Sequence, residues 1–203
     1  MNNLSSTQQR AVASLQSMFI GDSLAMPVHW YYNLMDIYKQ FSGGITKLEA
    51  APKHHPSSIM SLHSTKQGGR NARHSKNFQV EIVGDVILKG KRQFWNQSNQ
   101  HYHQGMRAGE NTLNAHCARA TIRALAANGG HYNEELFLDA YIKLMTADPA
   151  LHPDTYAESY HRGFFANLSA GKNRNKCGAV THDTASIGGL VTIAPIVISY
   201  HFL

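Results

Sequence analysis

The feature that most constrains this chain is its punctuation. Apolar residues recur at helical spacing, and the stretches that hold them are opened by capping residues and closed by Gly-Gly or Pro. Ser6-Thr7-Gln8-Gln9 reads as a capping box, with Ser6 at the cap and Gln9 three residues on. Val12, Leu15 and Phe19 follow one face of the helix it would open. That helix is expected to end or bend near Gly21-Asp22, with a further helical turn around Pro27. Asn111 is placed to cap a helix running to about Asn128, where Gly129-Gly130 stops it. Asn133 opens the next, with Glu134 and Glu135 at its positive end and Leu136, Phe137, Ala140, Tyr141 and Leu144 as its apolar stripe. Pro149 and Pro153 end it, and Asp154 reads as the cap of a helix from Thr155 to about Leu168. No internal repeat or two-strand hairpin is visible. The expectation is an all-α fold in one domain, 1–203.

Two stretches are less regular. Pro52 to Lys76 is rich in Pro, Ser, Gly, His and basic residues and reads as a long surface loop. Val80 to Lys89 is broadly apolar, and helix is favoured over strand because the pattern does not alternate. The sequence is 42% hydrophobic and 16% charged, which excludes a disordered chain. Its net charge of +6 suits anionic partners or an ordinary basic surface equally. Nucleic acid is disfavoured, because aromatic residues are sparse among the basic ones between Lys53 and Lys76. Cys117 and Cys177 form neither a CxxC pair nor a disulfide framework, so a reducing, cytoplasmic setting is expected. Ile187 to Leu203 is too short and too broken by Gly and Pro for a membrane span and reads as a buried core segment. Its apolar end suggests further packed chain beyond it.

Three segments hold the groups for chemistry. In Gly21-Asp22 a carboxylate at a helix break can face a cavity or simply cap. Gly109-Glu110-Asn111-Thr112-Leu113-Asn114 gathers short oxygen-bearing side chains at a helix start, a ligand type for hard cations and equally a cap. His182-Asp183-Thr184-Ala185-Ser186 offers a ligand, an acid–base group or a cap at Asp183. His54, His55, His63, His101 and His103 match no zinc pattern and read as solvated loop histidines, although His101 and His103 would share one face of a strand.

Taken in order, these segments resemble the ADP-ribosylglycohydrolase family. Gly21-Asp22-Ser23-Leu24-Ala25-Met26-Pro27-Val28-His29 is similar to its opening Gly-Asp-Ala-Leu-Gly-x-Pro-x-Glu. Gly109 to Ala115 occupies the place of its Gly-x-x-Thr-Asp-Asp-Thr segment. Asp154 to Gly171 resembles a Tyr-containing helix of the family, and Gly188-Gly189 through Pro195 resembles the end of its central loop. The resemblance implies an orthogonal helical bundle, here incomplete at its C-terminal side. It also implies an ADP-ribosylated substrate or ADP-ribose-like ligand and cleavage of a glycosidic bond assisted by two Mg²⁺ or Mn²⁺ ions in a cleft.

By the same resemblance Asp22, His29 and Asp183 stand at catalytic positions. Gly109, Glu110, Ser186, Gly188 and Gly189 stand at substrate-binding positions, and Thr112 and Asn114 at metal positions. Three departures bear on the chemistry: His29 replaces an acidic residue, and Leu113 and Asn114 replace two aspartates. Leu113 has no donor atom and Asn114 no charge, so cation binding is expected to be weak. Two functions follow, an impaired hydrolase or an inactive member retained for ligand binding or structure. Asp22, His29, Thr112 and Asn114 are expected to line one cleft.

Overall fold

The computed structural model describes residues 4–66 and 80–202, and among these the regular structure is helical, with no strand. The α-helices are α1 (Ser6–Ala25), α2 (Leu34–Gln40), α3 (Leu113–Ala127), α4 (Glu134–Thr146), α5 (Ser159–Ser169), α6 (Ile187–Val191) and α7 (Ala194–Tyr200). No described helix is long and apolar enough to cross a membrane. α3 packs on α4, and α1, α6 and α7 lie against α3.

The helix starts show which local signals decided. α4 is capped as its sequence dictates: Asn133 accepts from Leu136 N, with Glu134 and Glu135 in the first turn. α1 begins one residue earlier than its sequence suggests. Ser5 is the cap and Gln8 the third residue, closing both bonds of the box. α1 also runs past Gly21-Asp22 to Ala25 and then tightens into a single turn at Met26–Val28, with Pro27 where its missing N–H costs nothing. α3 starts at Leu113 with Thr112 rather than Asn111 as its cap residue. α5 starts at Ser159, four residues later than expected, because Asp154 is used elsewhere.

The core lies between α3, α4, α5 and the segments that precede α3. Met60, Ile82, Val83, Ile87 and Leu88 are wholly buried. Ile82 to Val86, expected as helix, is one wide turn, in which Val83 and Gly84 have non-helical backbone angles. Gly84 sits at φ +99°, where a side chain is strained. Burial on all sides explains the broad apolar pattern of this stretch, and periodicity could not distinguish it from a helix.

The Pro52–Lys76 stretch is no surface loop over its described part. His55, Met60, His63, Ser64 and Thr65 are buried, while residues 67–76 lie outside the described residues. His101 and His103, expected in solvent or on a strand, lie buried in a turn with ring centroids 5.9 Å apart. His54 alone of the five is exposed. Trp30, Tyr102, Trp95 and Tyr156 pack beside these rings. Trp30 meets Tyr102 edge-on at 4.4 Å, and Trp95 stacks on Tyr156 at 5.5 Å.

At α6 and α7 the expected core segment is largely exposed. Ile187, Leu190, Ile193, Val197 and Tyr200 all reach solvent, and Gly188 and Pro195 are the buried residues.

Candidate functional site

The N-terminus of α3 leaves backbone N–H groups that its own residues do not satisfy; Thr112 makes no side-chain cap bond. Two distant aspartates supply the acceptors. Asp22, in the last turn of α1, accepts from Thr112 N at 2.8 Å, Thr112 Oγ1 at 2.5 Å and Asn111 Nδ2 at 2.9 Å. Asp154 accepts from Leu113 N at 2.7 Å. Both carboxylates therefore sit where the helix dipole favours negative charge.

Asp154 also anchors a line of imidazoles. Its other oxygen accepts from His103 Nδ1 at 2.7 Å, and His103 Nε2 lies 2.5 Å from His29 Nδ1. Burial disfavours charge on both members of the Asp154–His103 pair, yet their attraction and hydrogen bond prevail. Asp154 is held down at about 2 and His103 is raised. An imidazolium at His103 donates from both nitrogens, so His29 Nδ1 accepts. His29, held neutral by burial and by the adjacent His103 cation, keeps its proton on Nε2. This tautomer is assigned from the network. Two further histidines clamp the turn that presents His29. His55 Nε2 donates to His29 O at 2.8 Å, and His101 Nε2 donates to Pro27 O at 3.1 Å. Burial lowers both, His101 to about 3, so each is a neutral donor.

Asn114, in the first turn of α3, is fixed through both ends of its amide. Nδ2 donates to Glu158 Oε1 at 2.6 Å, and Oδ1 accepts from the Tyr160 hydroxyl at 3.2 Å and from His161 Nε2 at 3.4 Å. His161 Nδ1 in turn accepts from the Tyr141 hydroxyl at 2.6 Å. Burial pushes Glu158 up to about 7 against the bond from Asn114. Gly188 closes over this group. A Cβ there would lie 2.7 Å from the Tyr160 hydroxyl oxygen and 3.0 Å from Asn114 Nδ2.

These groups border a cavity of about 500 Å³ between α1, α3 and α6. Asp22, His29, Trp30, Thr112, Asn114 and Gly188 line it, with Met18, Ile187 and Val191 as apolar wall. The sequence expectation that Asp22, His29, Thr112 and Asn114 meet in one cleft agrees with this arrangement.

The other expected site residues fall elsewhere. Gly189 lines a separate cavity beside Tyr160 and His161. The Gly109 carbonyl accepts from Ser23 Oγ at 3.2 Å, and Glu110 pairs with Arg107. Ser186 is exposed at the start of α6. Asp183 holds the start of α5, accepting from Ser159 N at 2.8 Å and Ser159 Oγ at 2.5 Å. Asp183 therefore caps a helix, though one that precedes it in the chain.

The residues present do not fit a two-cation centre. Leu113 points a donor-free side chain into the core, 1% exposed. Both Asp22 oxygens already accept hydrogen bonds, the Asn114 amide is engaged at both ends, and His29 Nδ1 is turned to His103. Among the described residues no three His, Cys, Asp or Glu side chains form a group that could hold a metal ion.

Sequence reasoning missed His103, Asp154, Glu158 and the latch role of Asn111. Asp154 has the sequence of a helix cap, and Glu158 falls inside the helix expected from Thr155. No local signal marked the pair: His101-Tyr102-His103 lies in a polar stretch, and the carboxylate that His103 meets is 51 residues away.

A model of the ADP-ribosylglycohydrolase family matches residues 3–202 of this chain. No curated protein and no solved structure matches it.

Proposed function

Because the chain belongs to the ADP-ribosylglycohydrolase family, we propose that its cleft binds an ADP-ribose-like ligand without the two-cation hydrolysis to which that fold lends itself. The observation behind this reading is the state of the α3 start, where the Leu113 side chain is buried and the Asn114 amide is committed on both sides. Ligand binding needs neither position to carry charge. A cavity of about 500 Å³ with few polar groups and apolar walls suits a nucleoside or ribose end. His29 presents a neutral N–H where a carboxylate is expected, which favours an oxygen acceptor on the ligand over a cation.

One arrangement favours a second reading, hydrolysis without a cation pair. In the His29–His103–Asp154 line, loss of the His103 proton would let His29 Nδ1 donate and free His29 Nε2 as a base. The two readings part in one assay. ADP-ribose release from an ADP-ribosylated peptide is followed with Mg²⁺, with Mn²⁺ and with chelator, for the native chain and for His29→Ala. The proposal expects no release above the protein-free rate in any condition. Release with chelator that His29→Ala abolishes would establish the second reading, and release that requires Mg²⁺ or Mn²⁺ would overturn both.

A further inference from the structure

Outside the cleft, the strongest unassigned feature is a groove of about 480 Å³ between α3 and α4. His116, Arg119 and Arg123 fall at i, i+3 and i+7 and so share one face of α3, and Lys143 joins them from the last turn of α4. Leu144 and Leu151 supply an apolar floor. We propose that this groove is a second binding site, for a small phosphorylated ligand whose phosphate oxygens meet Arg119, Arg123 and Lys143 while its less polar part rests on the two leucines.

Charge balance is the first support. Most other cations of the described surface have a carboxylate within 4.0 Å, among them Lys39, Lys89, Arg92, Arg107 and Arg174. Arg119, Arg123 and Lys143 have none among the described residues. A concave surface with three unneutralised cations concentrates positive potential, and guanidinium groups match phosphate oxygens in geometry.

Preorganisation is the second support. Arg119 is half-buried and already held, one nitrogen donating to Asn111 Oδ1 at 3.0 Å and its plane 5.0 Å from the Phe19 ring centre. One of its donors is used and the others are left for a ligand. His116 registers the same field: burial first, and Arg119 next, lower its pKa. The groove is distinct from the cleft. The two share no lining residue, and Asn114 lies on the opposite side of α3 from His116, Arg119 and Arg123.

The test uses the whole chain and inorganic pyrophosphate, followed by calorimetry and by the imidazole resonances of His116 and His29. The expected result is saturable one-site binding that weakens with added salt and raises the His116 pKa, with His29 unmoved. Arg123→Ala combined with Lys143→Ala should lower the affinity by about tenfold or more while the helical spectrum is retained, since both side chains are exposed. The proposal is overturned by absence of saturable binding, by an unchanged affinity in the double variant, or by shifts centred on His29. Competition by sulfate as strong as that of pyrophosphate would also overturn it, since it marks a general cationic surface.

Discussion

α1 lines the cleft and α5 backs it by holding Asn114 through Tyr160 and His161, and the two are held by opposite means. α5 has 11 residues, and Ser159, His161, Arg162, Gly163, Phe164, Phe165 and Ala166 are all buried. α1 has 20 residues with Ser23 alone buried, and Ile20 and Leu24 face solvent. Packing fixes α5, whereas a polar latch fixes the end of α1: Asp22 and Ser23 against Asn111, Thr112 and the Gly109 carbonyl. Burial is non-directional and tolerates small shifts. A latch of short hydrogen bonds is directional and sets where Asp22 stands. The cleft thus has a rigid support behind Asn114 and one wall, α1, whose position depends on a few polar contacts.

The largest expected effect is in the rigid part. Asp154→Ala leaves His103 buried beside no carboxylate and frees Leu113 N, and should cost about 3–5 kcal/mol in urea unfolding. A loss below about 1 kcal/mol would mean that the centre does not depend on this pair. The pair's pH dependence follows from its shifts. Asp154 is depressed, so its stabilisation is present above the ordinary aspartate pKa and disappears as pH falls toward 2. His103 is raised, so its share is full below the ordinary histidine pKa and is lost as pH rises through its folded value.

Breaking the latch should have a smaller and more local effect. Asp22→Ala is expected to cost about 1–3 kcal/mol and to speed amide exchange in α1 while α5 stays protected. Equal loss of protection in both helices would show a single cooperative unit and remove the contrast. Glu158 gives a third, comparable effect in the rigid support behind Asn114. Its folded pKa of about 7 is above the ordinary glutamate value, so stability falls as pH rises from about 4.5 to 7. Glu158→Gln should flatten that fall, and an unchanged slope would show that the carboxyl titrates normally.

The smallest effects belong to the exposed side chains of α6 and α7. Ile187 is 74% exposed and Val197 64%, so alanine at either should change stability by no more than about 0.5 kcal/mol. A larger loss in dilute protein would show that these side chains are covered in solution.

Helix identity was legible where the signal was local. The Asn133 cap and the Gly129-Gly130 stop stand as their sequences dictate, and the Ser-x-x-Gln box stands one residue early. What misled was polarity without its partner. Asp154 has the sequence context of a cap, but a buried histidine 51 residues away claims it. His55, His63, His101 and His103 sit in polar-looking stretches and are buried because distant groups meet them: carbonyls for His55 and His101, Asp154 and His29 for His103, and the Arg162 guanidinium for His63. The meeting of Asp22 and Thr112 across 90 residues followed from a resemblance in order and spacing, since no local pattern encodes it. The histidine line behind His29 had no such guide.

The most direct test of the account is a calorimetric titration of ADP-ribose into the chain, run once in excess EDTA and once in millimolar Mg²⁺. Saturable binding of the same affinity is expected in both, with His29→Ala weakening it equally in both. Binding seen only with Mg²⁺, or absent in both, would contradict it.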